Sequence, residues 1–372
     1  MFDAILLLSY GGPESPEEVD PFLDRVLSGK RIPASRRDAV RERYLRFNGI
    51  SPLPKECRRF IAALKSTFRE NGDDVATYWG GLYSSPFVAD ALEQMERDAV
   101  ENVLVLKSSA FVCRHYIDAL QDALASRSPK FVERLHIRYV PPFFETNAFL
   151  SSVASSIATT LSQTSNSSRD VTRLVLFTAH SIPIVDSDRI QYRRQLLHAG
   201  VKALEIAFPD LAPRLAPAET DDAFPTSSLR FAVPSQTLQI PETLRSRLRD
   251  CGLDAALAFQ SRSGSPFAPW LEPDVKDFLR VYKKETPSLK EVVVVPIGFF
   301  FENMETIYDL DVEAREVCEE LGIEYRRARC VGDSPVMVAA ARKMASLDPS
   351  AFPVCVCDRG CCDLSCRLNP TF

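Results

Sequence analysis

The sequence predicts an α/β protein of two Rossmann-like lobes, each holding a parallel sheet, with a cleft between them. Three observations lead there. Short apolar runs of strand type recur at residues 4–10, 75–80 and 103–108, and again at 174–180, 255–261 and 292–299. Long stretches with helical patterning separate them, which is the signature of βαβ units with right-handed crossovers. Several runs, such as Val292-Val293-Val294-Val295, lack polar alternation, as strands buried on both faces require.

Taken in order, the chain enters its first strand almost at once. Asp3 precedes Ala4-Ile5-Leu6-Leu7-Leu8, with neither the basic region nor the small-residue cleavage site of a secretory leader, so a cytoplasmic protein is expected. Gly11 and Gly12 follow Tyr10, where bare backbone can approach a flat ligand closely. The polar stretch from Ser162 to Ser168 reads as a loop or hinge. It divides the chain into a first lobe at 1–165, a second at 166–345 and a cysteine-rich tail at 346–372. Residues 209–240, rich in Pro, Ala, Thr and Ser, read as a surface insertion without a catalytic role.

Composition narrows the function. Apolar residues make up 45% and charged residues 26%, the balance of an ordinary globular protein. A net charge of -5 gives no basic footprint for nucleic acid or anionic lipid. No apolar run approaches the roughly 20 residues needed to span a bilayer.

The most informative residue is His180, at the end of Leu174-Val175-Leu176-Phe177-Thr178-Ala179-His180-Ser181-Ile182-Pro183. Ligands of open α/β sheets bind outside the carboxyl ends of strands, where this imidazole falls. The run at 292–299 leads likewise into Glu302-Asn303-Met304-Glu305. Nitrogen and oxygen donors at two strand ends suit a divalent first-row metal. A lone histidine is more often structural, so the surrounding motifs matter.

Those motifs resemble ferrochelatases, enzymes that insert ferrous iron into a porphyrin. The matching blocks are Leu-Phe-Thr-Ala-His-Ser-Ile-Pro around His180 and Pro296-Ile297-Gly298-Phe299 with Met304-Glu305-Thr306-Ile307-Tyr308-Asp309-Leu310-Asp311. Leu8-Ser9-Tyr10-Gly11-Gly12-Pro13 and Asn48-Gly49-Ile50-Ser51-Pro52-Leu53 match as well. So do Phe259-Gln260-Ser261-Arg262-Ser263-Gly264 and Pro269-Trp270-Leu271-Glu272-Pro273. Each block is weak alone; together, in the family's order, they cover roughly residues 3 to 320.

The resemblance implies a class II chelatase-like fold with porphyrin and Fe²⁺ as substrates in the cleft. It puts His180 and Glu305 on the metal, with His180 also taking a pyrrole proton. An imidazole suits that proton transfer. Glu305, Asp309 and Glu313 recur every four residues, one helix face, and three like charges there repel by a few tenths of a kcal/mol per pair. In ferrochelatases the matching acidic line is proposed to lead metal or protons inward; a solvated face is the other reading for Asp309 and Glu313.

In relatives that use coproporphyrin, a tyrosine matching Tyr10 meets the metal from the opposite face. Residues matching Arg43, Tyr44 and Ser51 contact propionates, for which an arginine fork and hydroxyls are chemically suited. Gln260, Ser261 and Arg262 are expected on the cleft wall, and Trp270 either there or in the core. Two departures stand out: Asn303 replaces a common histidine, and Phe144 replaces a carboxylate-binding tyrosine. The opening Tyr-Gly-Gly-Pro, the Gly-Ile-Ser-Pro block and the lack of a membrane lip favour coproporphyrin III over protoporphyrin IX. Transient contact with neighbouring haem-pathway enzymes is a further implication. The competing classes are a chelatase for another tetrapyrrole, generally shorter and without Gln-Ser-Arg-Ser-Gly, and a non-catalytic porphyrin-binding protein.

Of ten cysteines, Cys57, Cys113, Cys251, Cys318 and Cys330 are scattered, whereas Cys355, Cys357, Cys361, Cys362 and Cys366 crowd into the tail. In a reducing compartment such density points to a metal group rather than a disulfide. Some ferrochelatases hold a [2Fe–2S] cluster with three C-terminal cysteines and one upstream, near where Cys113 lies. Zinc is the nearest competitor and free thiols the third reading. A cluster predicts brown protein whose visible absorption disappears when Cys361 and Cys362 are both replaced by Ser. Colourless wild-type protein carrying stoichiometric zinc would decide for the second reading.

Overall fold

Apolar runs close into two sheets because each is too hydrophobic to leave a face in water. The computed structural model describes residues 1–29, 32–163, 172–209, 242–262 and 268–353. In the first sheet lie β1 (Ala4–Ser9), β2 (Ala76–Gly81), β3 (Asn102–Lys107) and β4 (His136–Tyr139), in the order β2-β1-β3-β4. The second contains β5 (Thr172–His180), β6 (Leu253–Gln260), β7 (Leu289–Val295) and β8 (Glu324–Arg327), in the order β6-β5-β7-β8. Every neighbouring pair within these sheets is parallel, so the two lobes repeat one topology, as the sequence predicts.

That order reverses direction once in each lobe, between β1 and β3 and between β5 and β7. Such switch points leave a crevice beyond the carboxyl ends of the strands. Tyr10 follows β1 and Cys113 follows β3; His180 ends β5 and Glu305 follows β7. The functional candidates therefore flank the two crevices for a topological reason.

The edge strands β4 and β8 fall outside the expected runs. Their sequences, His-Ile-Arg-Tyr and Glu-Tyr-Arg-Arg, are half-exposed and mostly polar, so no apolar run marks them. At the other extreme, β7 ends at Val295, short of the expected 299, where Pro296 removes the next backbone donor. Gly298 then donates its N–H to Thr178 O at 3.1 Å. A Cβ on Gly298 would lie 2.5 Å from the Ala179 Cβ, so only glycine lets this loop rest against the end of β5.

One apolar cluster joins the facing sides of both sheets, including Leu7, Phe60, Phe111, Phe149, Phe177 and Phe300. Phe60 meets Phe301 with ring centroids 5.7 Å apart, and Phe143 meets Phe300 at 5.3 Å. The outer faces have separate clusters, around Leu6, Leu8 and Leu92 in one lobe and Leu174, Val294 and Leu310 in the other. The helix Pro335–Ala345 returns to pack on Leu53–Glu70 of the first lobe, where Arg342 Nε meets Asp73 Oδ2 at 2.6 Å.

The helix Asn147–Ser162 takes in the first residue of the expected hinge, and the 165/166 boundary lies outside the described residues. So do nearly all of the 209–240 segment and the five tail cysteines. No helix among the described residues is long and apolar enough to cross a membrane.

Candidate active site

His180 pairs in register with Gln260 at the carboxyl ends of β5 and β6. The turn after it is tightly held: Ser181 donates its N–H to Gln260 O at 2.6 Å and its hydroxyl to Leu271 O at 2.8 Å. Nδ1–H of His180 donates to Ser181 O at 2.5 Å. That bond assigns the tautomer and leaves Nε2 with a lone pair.

Nε2 faces Glu305, whose Oε1 lies 3.5 Å away. Two donors each ~2.1 Å from one metal at a tetrahedral angle would stand ~3.4 Å apart. The spacing of the pair is therefore that of two ligands to one first-row ion. His180 remains a quarter exposed and Glu305 two-fifths, so the pair is open to the cleft.

Three neighbours fix Glu305. Asn303 Oδ1 accepts from the N–H of Glu305 at 2.8 Å and of Thr306 at 3.1 Å, capping the helix that starts here. Gln260 Nε2 donates to Glu305 O at 3.1 Å. Glu302, buried, accepts from the Thr306 hydroxyl, Arg327 Nη1 and Cys330 N, each at 2.9 Å. Arg327 also reaches Asp311 Oδ1 at 2.7 Å, tying the same helix to β8. Burial would raise the Glu302 pKa, but the Arg327 charge and these hydrogen bonds outweigh it and hold the carboxyl below its usual value.

Residues Thr306–Ala314 form a π-helix, a widened turn that recurs at functional sites. Asp309 and Glu313 lie on it. Their mutual repulsion is partly offset by cations: Arg43 places Nη1 3.3 Å from Asp309 Oδ1 and Nη2 3.7 Å from Glu313 Oε1. Lys276 Nζ sits 2.7 Å from Glu313 Oε2, and the Ser261 hydroxyl donates to Asp309. Burial is the largest influence on Asp309 and, with the Glu305 charge, lifts its pKa to about 6 against the pull of Ser261 and Arg43.

Tyrosines surround the carboxylate. Tyr10, beyond β1, packs its ring 4.6 Å from that of Tyr83, and Tyr44 lies 5.6 Å from Phe22. Burial first, and then surrounding charges that include Glu305, push the phenols of Tyr10, Tyr44, Tyr116 and Tyr192 upward. All four stay protonated over any working pH.

Other candidates are placed less directly. Ser51 is buried beside Gly12, and its hydroxyl accepts from Leu53 N at 3.4 Å. Gln260 is also buried and acts on the Glu305 backbone. Arg262 pairs with Glu272 at 3.0 Å, and Trp270 bridges to Pro183 in the strap beside Ser181. Phe144 stacks on Phe111 in the core at 5.5 Å.

Cys113 Sγ lies 3.9 Å from His115 Nδ1, and burial raises its thiol pKa. Its expected partners Cys355, Cys357, Cys361, Cys362 and Cys366 lie outside the described residues. Among the described residues, no three His, Cys, Asp or Glu gather as a metal-binding group.

Sequence reasoning missed the Glu302–Arg327–Asp311 tie and Lys276. Asn303 followed by Thr306 is a helix-start signal that could have pointed to the first; Arg327, on a polar edge strand, gave none.

Two four-stranded parallel sheets, each flanked by helices, have the class II chelatase fold. SirB from Bacillus subtilis with Fe³⁺ shares the fold, with a TM-score of 0.52 at 12% identity over 95% of this chain and 100% of that one. The ferrochelatase family profile matches residues 2–347. A coproporphyrin III ferrochelatase of Streptomyces coelicolor is 34% identical over 92% of this chain and 84% of its own length. A ferrochelatase of Rhodopirellula baltica is 33% identical over 91% and 83%. The chain belongs to the ferrochelatase family, enzymes that insert iron into porphyrin in haem biosynthesis.

The pair also predicts a pH dependence. Burial, the largest influence, lowers the His180 pKa, but the Glu305 charge and hydrogen bond, Ser181 O and Asp309 together carry it above the ordinary value. The protonated pair stabilises the fold fully below the ordinary histidine pKa of about 6.5 and loses that contribution as pH rises through the raised value. An NMR titration should place the His180 imidazole above its ordinary value, and Glu305→Gln should bring it down. An unchanged titration in that variant would separate the two groups.

Proposed function

We propose that this enzyme inserts Fe²⁺ into coproporphyrin III, with His180 and Glu305 working on the metal face. The observation that carries the residue assignment is the 3.5 Å separation of His180 Nε2 and Glu305 Oε1 at the β5/β7 crevice. Curated relatives named coproporphyrin III ferrochelatase, from Streptomyces coelicolor, Streptomyces griseus and Nocardia farcinica, support the substrate.

The chemistry runs as an exchange of two protons for one cation. The macrocycle lies in the cleft with Tyr10 on one side and the His180–Glu305 pair on the other. Fe²⁺ reaches the pair along Glu313 and Asp309, whose carboxylates are hard donors suited to hydrated divalent ions. His180 Nε2 accepts a pyrrole proton, and Glu305 takes up the second as its hold on the metal relaxes. Iron passes to the four pyrrole nitrogens, and both protons leave to solvent. Arg43, Tyr44 and Arg262 face the peripheral carboxylates, while Ser51 and Gln260 hold the backbone that presents Gly12 and Glu305.

Protoporphyrin IX, with fewer carboxylates, is the second reading. Burial of Phe144 against Phe111 favours it, since the site lacks a donor there.

Anaerobic Fe²⁺ insertion followed by visible absorption, with both porphyrins side by side, tests the proposal. Coproporphyrin III should turn over faster, and Glu305→Gln or His180→Ala should lose about 10²-fold or more in kcat while still binding porphyrin. Normal turnover in Glu305→Gln would remove the metal pair. Preference for protoporphyrin IX would overturn the substrate.

A further inference from the structure

The cation that Asp309 and Glu313 share comes from the opposite lobe. Arg43, on the helix Ala34–Leu45, crosses the cleft to both acids and rests over the Tyr308 ring, 4.7 Å from its centroid. Arg46 approaches the same ring at 5.9 Å and pairs with Glu316 at 3.5 Å, and Phe47 meets Tyr308 edge-on at 6.5 Å. Beside these contacts lies a cavity of about 410 Å³ lined by Ala39, Glu42, Arg43, Leu45, Arg46 and Tyr308.

The Arg43 contacts are weak for what they bridge. Charge-assisted N–H···O bonds to carboxylate are typically ~2.7–2.9 Å. Arg43 holds its two acids at 3.3 and 3.7 Å, one nitrogen on each. A single carboxylate entering from the cavity could take both arms of the fork with better geometry. Among the described residues, the acids would keep Ser261 on Asp309 and Lys276 on Glu313. A buried acid that loses its cation becomes a stronger attractor for the next one.

We propose that Arg43 is a positioning residue that screens Asp309 and Glu313 from cations until a substrate carboxylate takes its guanidinium. Porphyrin binding then opens the metal route, which orders the two substrates: macrocycle first, iron second. This rests on Asp309 and Glu313 being that route.

Mn²⁺, which favours oxygen ligands, probes the acids directly through loss of the free-ion EPR signal. Nickel-loaded coproporphyrin III cannot accept a second metal but carries the carboxylates; its tetramethyl ester, in the same detergent, does not. Wild-type protein should bind Mn²⁺ on the order of tenfold more tightly with the nickel tetracarboxylate than alone, a gain of about 1.4 kcal/mol, and should ignore the ester. Arg43→Gln should bind tightly without any porphyrin, and Asp309→Asn should abolish the gain. Equal Mn²⁺ affinity in all porphyrin states and in Arg43→Gln, with weaker binding in Asp309→Asn, would overturn the screen and leave the route. Indifference to Asp309→Asn would overturn both. The wild-type comparison needs no variant to fold, and none of these readings depends on turnover by His180 and Glu305.

Discussion

The apolar seam between the two sheets holds the switch points face to face, and every distance in the site depends on it. Phe60 from the first lobe packs between Phe300 and Phe301 of the second, and Phe111 meets Tyr192 edge-on. Truncating a buried Phe of this kind costs about 3–5 kcal/mol, so the seam cannot shift by small steps. Phe300 and Phe301 also lie in the loop between β7 and the helix that carries Glu305, which couples the seam to the His180–Glu305 pair through only a few residues of chain.

Against that rigid frame the site retains groups that are costly where they stand. Asp309 is buried with its pKa raised to about 6, so it works against the fold at neutral pH. The sign follows from linkage: a carboxyl raised in the folded state stabilises it below the unfolded pKa and loses that contribution as pH rises through 6. Arg43 offsets the Asp309 charge and Lys276 that of Glu313, yet both cations are borrowed from elements outside the π-helix. Natural sequences tolerate such conflict chiefly at functional sites. The widened π-helical turn belongs to the same pattern.

Six of the eight strands among the described residues were legible as apolar runs because burial on both faces leaves an unbroken hydrophobic signal. The edges β4 and β8 were not, since half-exposed strands carry polar residues and are specified by their neighbours. His180 and Glu305 could be found because strand ends in α/β sheets collect function. The partners of the acidic line could not. Arg43 lies 266 positions before Asp309 and reaches it across the cleft, and Lys276 lies 37 positions before Glu313 on another helix, so no local pattern encodes either contact.

The central claim is that His180 and Glu305 together form the metal-facing pair. Anomalous scattering from crystals soaked in Zn²⁺ without porphyrin tests it most directly. The account predicts a peak within ~2.0–2.2 Å of both His180 Nε2 and Glu305 Oε1. A peak confined to Cys113 and His115, or to the acids of the π-helix, with nothing between His180 and Glu305 at saturating metal, would contradict it.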